Sequence, residues 1–586
     1  MSGKEPRAAQ ADGEHGISGH EFGGHGPAGH DPSGRARVLG RGVLLGALLG
    51  AVALTAVAAT GPEPEPPPLV APRYVEVGAG EQIRHVYAGG FTFFVGGGVA
   101  VLDCDDDGLP DLYLAGGEQP ASLLRNDSRP GTSVRFTPVP DPATDLVGVT
   151  GAYPLDIDGD GILDLVVLRV GENVVLRGLG DCRFERANEA WGIDGGDAWT
   201  TAFSATFEPG EQRPTLAFGN YLDPDDTDRA TCQDNVLLRP EPGATTYAPP
   251  IALSPSWCTL SLLFSDWDRS GRRDLRVSND RHYSREGEEQ LWRIEPGDPP
   301  RLYTREQGWE HLRIWGMGIA SHDVTGDGRP EVYLTSQGDN KLQTLVGEAG
   351  RPTYEDLAIT AGVTAHRPHL GGDVRPSTAW HPAFGDVNND GFIDLFVAKG
   401  NVEAQLDHAE RDPSNLLLGT AEGRFEERSA QAGVVSYGRG RGAALVDLDL
   451  DGLLDLIEVQ REEPVRIWRS LGAGSAEGRD ATGSSEPMGT WLALRLADGP
   501  PNRDAIGAWV ELRVDGRTRV IEQTVGGGHA GGHLGWIHVG LGTAGYAEVR
   551  VSWPDGETGP WQRVEASQLA VIERGADTPR LVEVTG

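Results

Sequence analysis

The sequence predicts an all-β protein: a seven-bladed β-propeller followed by a small C-terminal all-β domain. Three observations predict it. One ten-residue acidic pattern occurs six times, its flanks alternate like strands, and its spacing leaves room for one degenerate copy. The copies are DCDDDGLPDL from Asp103, DIDGDGILDL from Asp156, DWDRSGRRDL from Asp266, DVTGDGRPEV from Asp323, DVNNDGFIDL from Asp386 and DLDLDGLLDL from Asp447.

Each copy places oxygen-bearing side chains at positions 1, 3, 5 and 9 and glycine at position 6. Alternate residues of a tight loop can turn inward together. A hard cation such as Ca²⁺ takes about 6–8 oxygen ligands at roughly 2.3–2.6 Å. Glycine permits the sharp turn because it reaches positive φ without a Cβ clash. The expected side-chain ligands are Asp103, Asp105, Asp107 and Asp111; Asp156, Asp158, Asp160 and Asp164; Asp266, Asp268, Ser270 and Asp274; Asp323, Thr325, Asp327 and Glu331; Asp386, Asn388, Asp390 and Asp394; and Asp447, Asp449, Asp451 and Asp455. The backbone carbonyl of position 7 completes each set, from Leu109, Ile162, Arg272, Arg329, Phe392 and Leu453. Up to six structural Ca²⁺ follow. The loops from Asp103, Asp156 and Asp447, with four carboxylates each, are expected to bind most tightly. Thr325 and the longer Glu331 weaken the Asp323 loop, and Ser270 makes the Asp266 loop leaky. A solvated acidic turn without metal is the alternative, and six in-register copies weigh against it.

An EF-hand begins in the same way but needs a bidentate Glu at position 12 and flanking helices. Position 12 here is Leu114, Val167, Val277, Leu334, Val397 and Glu458, apolar in five of six. Apolar residues alternate after the loops, as in Leu112/Leu114, and β-branched residues precede them, as in Val99 and Val101. That period of two reads as strand–loop–strand.

Successive loops start 53, 110, 57, 63 and 61 residues apart. The 110 is two steps of 55, so a copy without carboxylates is expected at Thr200–Asn220 (TTAFSATFEPGEQRPTLAFGN). Seven repeats of this length each hold four short strands, which fits a propeller. An open β-solenoid is the competing architecture. The propeller is assigned to 72–471, a Gly/Ser/Glu-rich linker to 472–489, the C-terminal domain to 490–575 and a tail to 576–586.

Three C-terminal motifs add a resemblance. Asn502-Arg503-Asp504-Ala505-Ile506-Gly507-Ala508, His538-Val539-Gly540-Leu541-Gly542 and Trp553-Pro554-Asp555-Gly556 match NRDAIGA, HFGLG and WPDG signatures, with Val539 where Phe is usual. With its acidic loops, the chain resembles the FG-GAP/VCBS propellers of integrin α subunits and, more specifically, the cartilage acidic protein (ASPIC/UnbV) family. The resemblance covers roughly residues 72–575. It implies the propeller fold and no established reaction.

Within the C-terminal domain, Gly526-Gly527-Gly528-His529 with His533 and His538 reads as a glycine-rich turn with incidental histidines rather than a metal site. No carboxylate or cysteine keeps regular spacing with them. Asn502-Arg503-Asp504 reads as a structural turn with an Arg–Asp hydrogen bond, not a catalytic group.

Residues 1–41 form a His/Gly-rich tail expected to be disordered and cytoplasmic, with His15, His20, His25 and His30 every five residues. Residues 42–60 carry no charge and are just long enough to span a bilayer. Arg35, Arg37 and Arg41 precede them, which orients the propeller to the extracytoplasmic side. The alternative is a signal peptide cleaved at Ala56-Val57-Ala58, giving a secreted protein. A Pro-rich spacer, 61–71, follows. An extracytoplasmic chain permits disulfides. Cys232–Cys258 is the preferred pair, Cys104 is expected buried, and a second pairing stays open.

The net charge of −36 argues against a nucleic-acid partner. Two functions fit. The first is a calcium-stabilised extracytoplasmic binding or adhesion scaffold, anchored to the membrane by its N-terminal helix, with a protein or glycan ligand on blade-connecting loops. Long insertions at Pro240–Trp257 and Ala365–Pro382 support it, with Trp267, Trp292, Trp309, Trp315, Arg281, His282 and Tyr283 as candidate face residues. The second is an enzyme acting on carbohydrate or another polar polymer, with acid/base groups in Ser278-Asn279-Asp280-Arg281-His282-Tyr283. The absence of a nucleophile elbow or phosphate loop leans the reading away from catalysis. No catalytic residue is assigned.

Overall fold

Each acidic loop joins the first two strands of a four-stranded antiparallel sheet. In the first blade the strands are Val99–Leu102, Asp111–Leu114, Ser122–Asn126 and Phe136–Pro138. The computed structural model describes residues 70–77, 83–225, 231–281, 286–364, 375–403, 405–473 and 488–583. These lie in the compact unit Pro66–Gly586. Loop position 9 opens the second strand in every blade, through the pairs Leu102↔Asp111, Leu155↔Asp164, Ser265↔Asp274, His322↔Glu331, Gly385↔Asp394 and Val446↔Asp455. The third blade keeps the same register with threonine at position 9, Thr206 pairing with Thr215.

Seven such sheets make the propeller, with apolar inner strands because blades pack on both faces. Leu165, Val166, Val167 and Leu168 are all buried. The seventh blade has three strands of its own, Arg439–Val446, Asp455–Arg461 and Arg466–Ser470. Its fourth is Tyr74–Glu76, paired antiparallel with Tyr74 opposite Ser470. Tyr74–Glu76, which precedes the first blade, thereby completes the last blade to four strands like the other six.

The expected insertion at Pro240–Trp257 is a correction: it contains the outer strand of the third blade, Ile251–Leu253. The part of Ala365–Pro382 from Ala379 onward is likewise blade, belonging to the inner strand Ala379–Gly385. Residues 365–374 lie outside the described residues.

Two disulfides cross between blades. Cys104–Cys182 joins the first and second, and Cys232–Cys258, the expected pair, joins the third and fourth. No helix among the described residues is long and apolar enough to cross a membrane, and the candidate span 42–60 lies outside them.

The C-terminal module is two four-stranded sheets. One contains Thr490–Ala497 and Gln568–Glu573 paired in parallel, the other Trp509–Val514 beside Tyr546–Ser552. Leu492, Leu494, Val510, Leu512, Val549 and Val551 form the core between them. The segment between Arg517–Glu522 and Ile537–Gly542 leaves the module and threads the propeller's central channel. It bridges five inner strands in turn, through Val525 with Ala205, Gly526 with Leu263, Gly528 with Ile319, Gly531 with Ala152 and His533 with Val101. The glycine-rich turn is therefore a channel plug. Its composition follows from close approach: a Cβ at Gly531 would stand 2.2 Å from the Val99 carbonyl oxygen, and one at Gly98 1.8 Å from that of Ala530.

Candidate metal centres

The six acidic loops share one backbone path. Position 6 has φ between 85° and 91° in Gly108, Gly161, Gly271, Gly328, Gly391 and Gly452. Position 4 is also left-handed, whether glycine (Gly159, Gly326) or not (Asp106, Arg269, Asn389, Leu450). In all six, the position 6 amide donates to the position 1 carboxylate at 2.8–3.2 Å. In five, the position 7 amide donates to the position 5 carboxylate. The alternation read from sequence is thus a wrapped loop whose position 1 carboxylate is held by the position 6 amide in every copy.

Three loops bring their carboxylates together: Asp103/Asp105/Asp111, Asp156/Asp158/Asp164 and Asp447/Asp449/Asp455, each with one oxygen per residue within 4.8 Å of the others. That span suits ligands on one Ca²⁺, whose bonds are about 2.3–2.6 Å. Asp105 Oδ1 and Asp449 Oδ1, both at position 3, are buried without a donor. Burial pushes the Asp111 carboxyl up to about 8. Burial and then the Asp504 carboxylate push Asp156 to about 7, and burial and then Asp451 push Asp449 to about 7. Such groups ionise together only beside an opposite charge. The donor set therefore fits a hard cation, which would supply that charge. Among these clustered residues, Cys104 and Cys182 beside Asp111 are joined in a disulfide and offer no thiolate.

In these three loops and the Asp386 loop, position 9 is held by two backbone amides. Cys104 and Asn126 donate to Asp111, Ile157 and Gly178 to Asp164, Val387 and Gly419 to Asp394, and Leu448 and Ser470 to Asp455. Two loops differ. Glu331 accepts from the Val324 and Thr325 amides and from the Thr325 and Thr344 hydroxyls. Asp274 accepts from the Arg272 side chain, which the sequence offered only for its carbonyl. Asp323, Asp327, Asp386, Asn388 and Asp390 keep their loop positions, but their loops are not among the three converging clusters. Arg329 directs its guanidinium to the Gly347 carbonyl.

The C-terminal module sits on these loops. Arg495 pairs with Asp103 at 2.8 Å, and Trp536 donates to the Gly108 carbonyl. Arg503 donates to the Gly159 carbonyl at 2.7 Å, Trp509 to Asp266, Arg519 to the Gly391 carbonyl, and Asn389 contacts His538. Trp491 packs with Leu109 and Leu450. The expected Arg503–Asp504 hydrogen bond is therefore a correction. Asn502 holds the turn through Ile506, and Arg503 ties the module to the propeller.

Comparison with known proteins agrees with this layout. Residues 498–579 match the family model ASPIC and UnbV, and residues 103–167 and 323–397 match the FG-GAP-like repeat. The C-terminal module thus matches ASPIC and UnbV, and two stretches of the propeller match FG-GAP-like repeats. Cartilage acidic protein 1 of Mus musculus and that of Homo sapiens are each 25% identical over 248 residues, 41% of this chain. The matched stretch spans about a third of the length of those relatives, 34% and 33%. Among solved structures, BBS1N in complex with ARL6DN covers 71% of this chain and 100% of its own, at TM-score 0.40 and 11% identity. An Agrocybe aegerita lectin that recognises non-reducing terminal N-acetylglucosamine covers 63% and 93%, at TM-score 0.34 and 15% identity.

One recurrent feature of the FG-GAP propeller escaped the sequence reading. The pairs Leu112↔Leu124, Leu165↔Leu176, Leu216↔Leu238, Leu275↔Trp292 and Leu456↔Trp468 set Arg125, Arg177, Arg239, Arg293 and Arg469 across from position 9. Arg469 bonds Asp449 at 2.8 Å and Asp451 at 2.9 Å, and Arg177 takes Asp158 and Asp160 in the same way. In the third blade, where Thr215 stands at position 9, Arg239 pairs with Glu208 instead. An arginine late in, or just past, the third strand of five blades was the available signal; the fifth and sixth blades have Thr344 and Leu418 there. That signal was hidden because its spacing from the loop varies with the intervening turn.

Inside the channel, His529 is buried with its Nε2 accepting from the Gly96 amide and its ring 5.0 Å from Trp380. The His529 amide donates to His381 Nδ1. Burial lowers both imidazoles, His529 to about 3 and His381 to about 4. Arg441 closes the far mouth, buried, stacked 4.2 Å over Trp380 and donating to the Phe94 and Val402 carbonyls.

The proposed face residues separate. Trp267, Trp292 and Trp309 are buried core. Trp315 lies at the mouth opposite the loops with Arg281 stacked on it at 5.4 Å. Ser278 and Asn279 are buried, Asn279 bonded to Thr259 and Glu289, and Asp280 accepts from Tyr221. They serve the blade rather than a reacting centre. His282 and Tyr283 lie outside the described residues.

Proposed function

We propose that the chain is an extracytoplasmic binding scaffold. Calcium in the acidic loops stiffens the propeller and the ASPIC/UnbV seat, and ligand is taken on the opposite face. The observation that carries the reading is the module's position. It covers the loop face and enters the channel, so among the described residues the face opposite it is left open. Exposed Phe91, Val147 and Tyr437 stand there, each shortly before an inner strand. Phe91 rests edge-on against Trp199 at 5.9 Å. Loops held by a rigid scaffold are where recognition of a protein or glycan usually sits. Disulfides between blades and the likeness to cartilage acidic protein 1 support an extracytoplasmic setting.

The test is a glycan array and a native pull-down with wild type and a Phe91→Ser/Tyr437→Ser variant, alongside a polymer-turnover assay. Binding lost in the variant, with melting unchanged, supports the reading. Turnover of a polymer by wild type overturns it in favour of an enzyme.

A further inference from the structure

We propose that the Asp266 loop carries its cation within the chain: the Arg272 guanidinium takes the place that Ca²⁺ would take in the sister loops, and this blade binds no calcium. The inference rests on the reading of the other acidic loops as calcium sites.

Asp274, at position 9, is wholly enclosed. Its Oδ1 accepts from the Ile294 amide at 3.1 Å and from Arg272 Nε at 3.0 Å. Its Oδ2 accepts from the Trp267 indole at 2.9 Å, the Tyr303 hydroxyl at 2.8 Å and Arg272 Nη2 at 3.2 Å. A carboxylate offers about four acceptor positions, and five donors fill them here. Position 9 of the Asp103, Asp156, Asp386 and Asp447 loops has two amide donors, which leaves lone pairs for an ion. The guanidinium is planar, permanently charged and placed as a fork on both oxygens.

The rest of the loop agrees. Its sequence, DWDRSGRRDL, balances three aspartates with three arginines, whereas DLDLDGLLDL carries four acids and no base. Asp268 is engaged by the Ser270 and Gly350 amides. Asp266 Oδ2 accepts from the Gly271 amide and the Trp509 indole, so Asp266 Oδ1 is left as a single buried oxygen without a donor. One free carboxylate oxygen, beside a position 9 already filled by Arg272, falls short of the about six to eight ligands that Ca²⁺ wants. Because the path of the backbone matches the sister loops, the difference lies in side chains alone: Arg272 and Trp267 stand where the Asp103 loop has Leu109 and Cys104.

The test is calcium stoichiometry of the full chain by non-denaturing mass spectrometry, titrated with CaCl₂, for wild type, Asp111→Asn and Asp274→Asn. Asp111→Asn is expected to lose one Ca²⁺, and Asp274→Asn to keep the wild-type count. Loss of one ion in both variants overturns this inference and leaves the calcium reading of the other loops standing. Retention of the full count by Asp111→Asn overturns both. Should Asp274→Asn fail to fold, Asp268→Asn carries the same readout with the same outcomes.

Discussion

The two ends of the propeller are made by the same seven pairs of inner strands, yet they are finished by different chemistry. At the loop end, acidic turns crowd carboxylates into buried clusters, and the ASPIC/UnbV module lies across them with arginines and tryptophans. At the opposite end, Arg441 and Trp380 close the channel, and Phe91 and Tyr437 face solvent. One end thus gathers buried carboxylates that, on the calcium reading proposed above, depend on bound charge. The other is finished by packing and has surface to spare. Stability is expected to be concentrated at the first and recognition at the second.

The largest break in that contrast comes from chelation. An ion bound only by the folded state at a hundredfold over its Kd stabilises by about 2.7 kcal/mol. Three converging clusters therefore predict a melting temperature lower by roughly 5–10 °C in EDTA, recovered by added calcium. Because the module rests on the same loops, its transition should separate from the propeller's in calorimetry. An unchanged melting curve would refute the dependence on bound charge.

The plug gives the next effect. Gly98→Val drives a side chain against the Ala530 carbonyl and should unseat the channel segment at a cost of about 3 kcal/mol by urea unfolding. A loss below about 0.5 kcal/mol would mean that the plug adds nothing to the ring.

The pH dependence follows from His381 and His529. Their folded values, about 4 and about 3, lie below the ordinary 6.5, so the unfolded chain binds protons that the folded chain excludes. The stabilisation is present above 6.5 and is lost as pH falls from there toward 4. With calcium saturating, the melting temperature should fall across that window. The slope should be shallower in His381→Asn/His529→Gln, whatever that variant's absolute stability, and equal slopes would contradict the assignment. At the open end, Phe91→Ser/Tyr437→Ser should shift unfolding by no more than about 0.5 kcal/mol. A larger shift would make that face structural.

Much of the loop end was legible before folding. Aspartates at alternate positions with glycine at position 6 announce a wrapped turn, and position 12 distinguishes it from an EF-hand because a strand must follow. The doubled spacing exposed the third blade, which folds as Thr200–Thr206 and Thr215–Asn220. What was not legible involves partners far away in sequence. Gly526 to His533 reads locally as a loose turn, and its glycines make sense only against Val99 and Ser204. Arg272 offers only its carbonyl when read locally, until its side chain converges with Trp267 and Tyr303 on Asp274.

By itself, the sequence determined the repeat, the strand–loop–strand unit, the acidic centres and the C-terminal module, because period and turn chemistry act over ten residues or fewer. The tertiary structure alone decided which strand closes the ring, what fills the channel, which face stays open and which carboxylates are already paired. Those outcomes depend on groups brought together across hundreds of residues, such as Tyr74 beside Ser470 and Ala530 between Gly98 and Gly151. No local pattern encodes such meetings, because burial and close packing are properties of the closed ring.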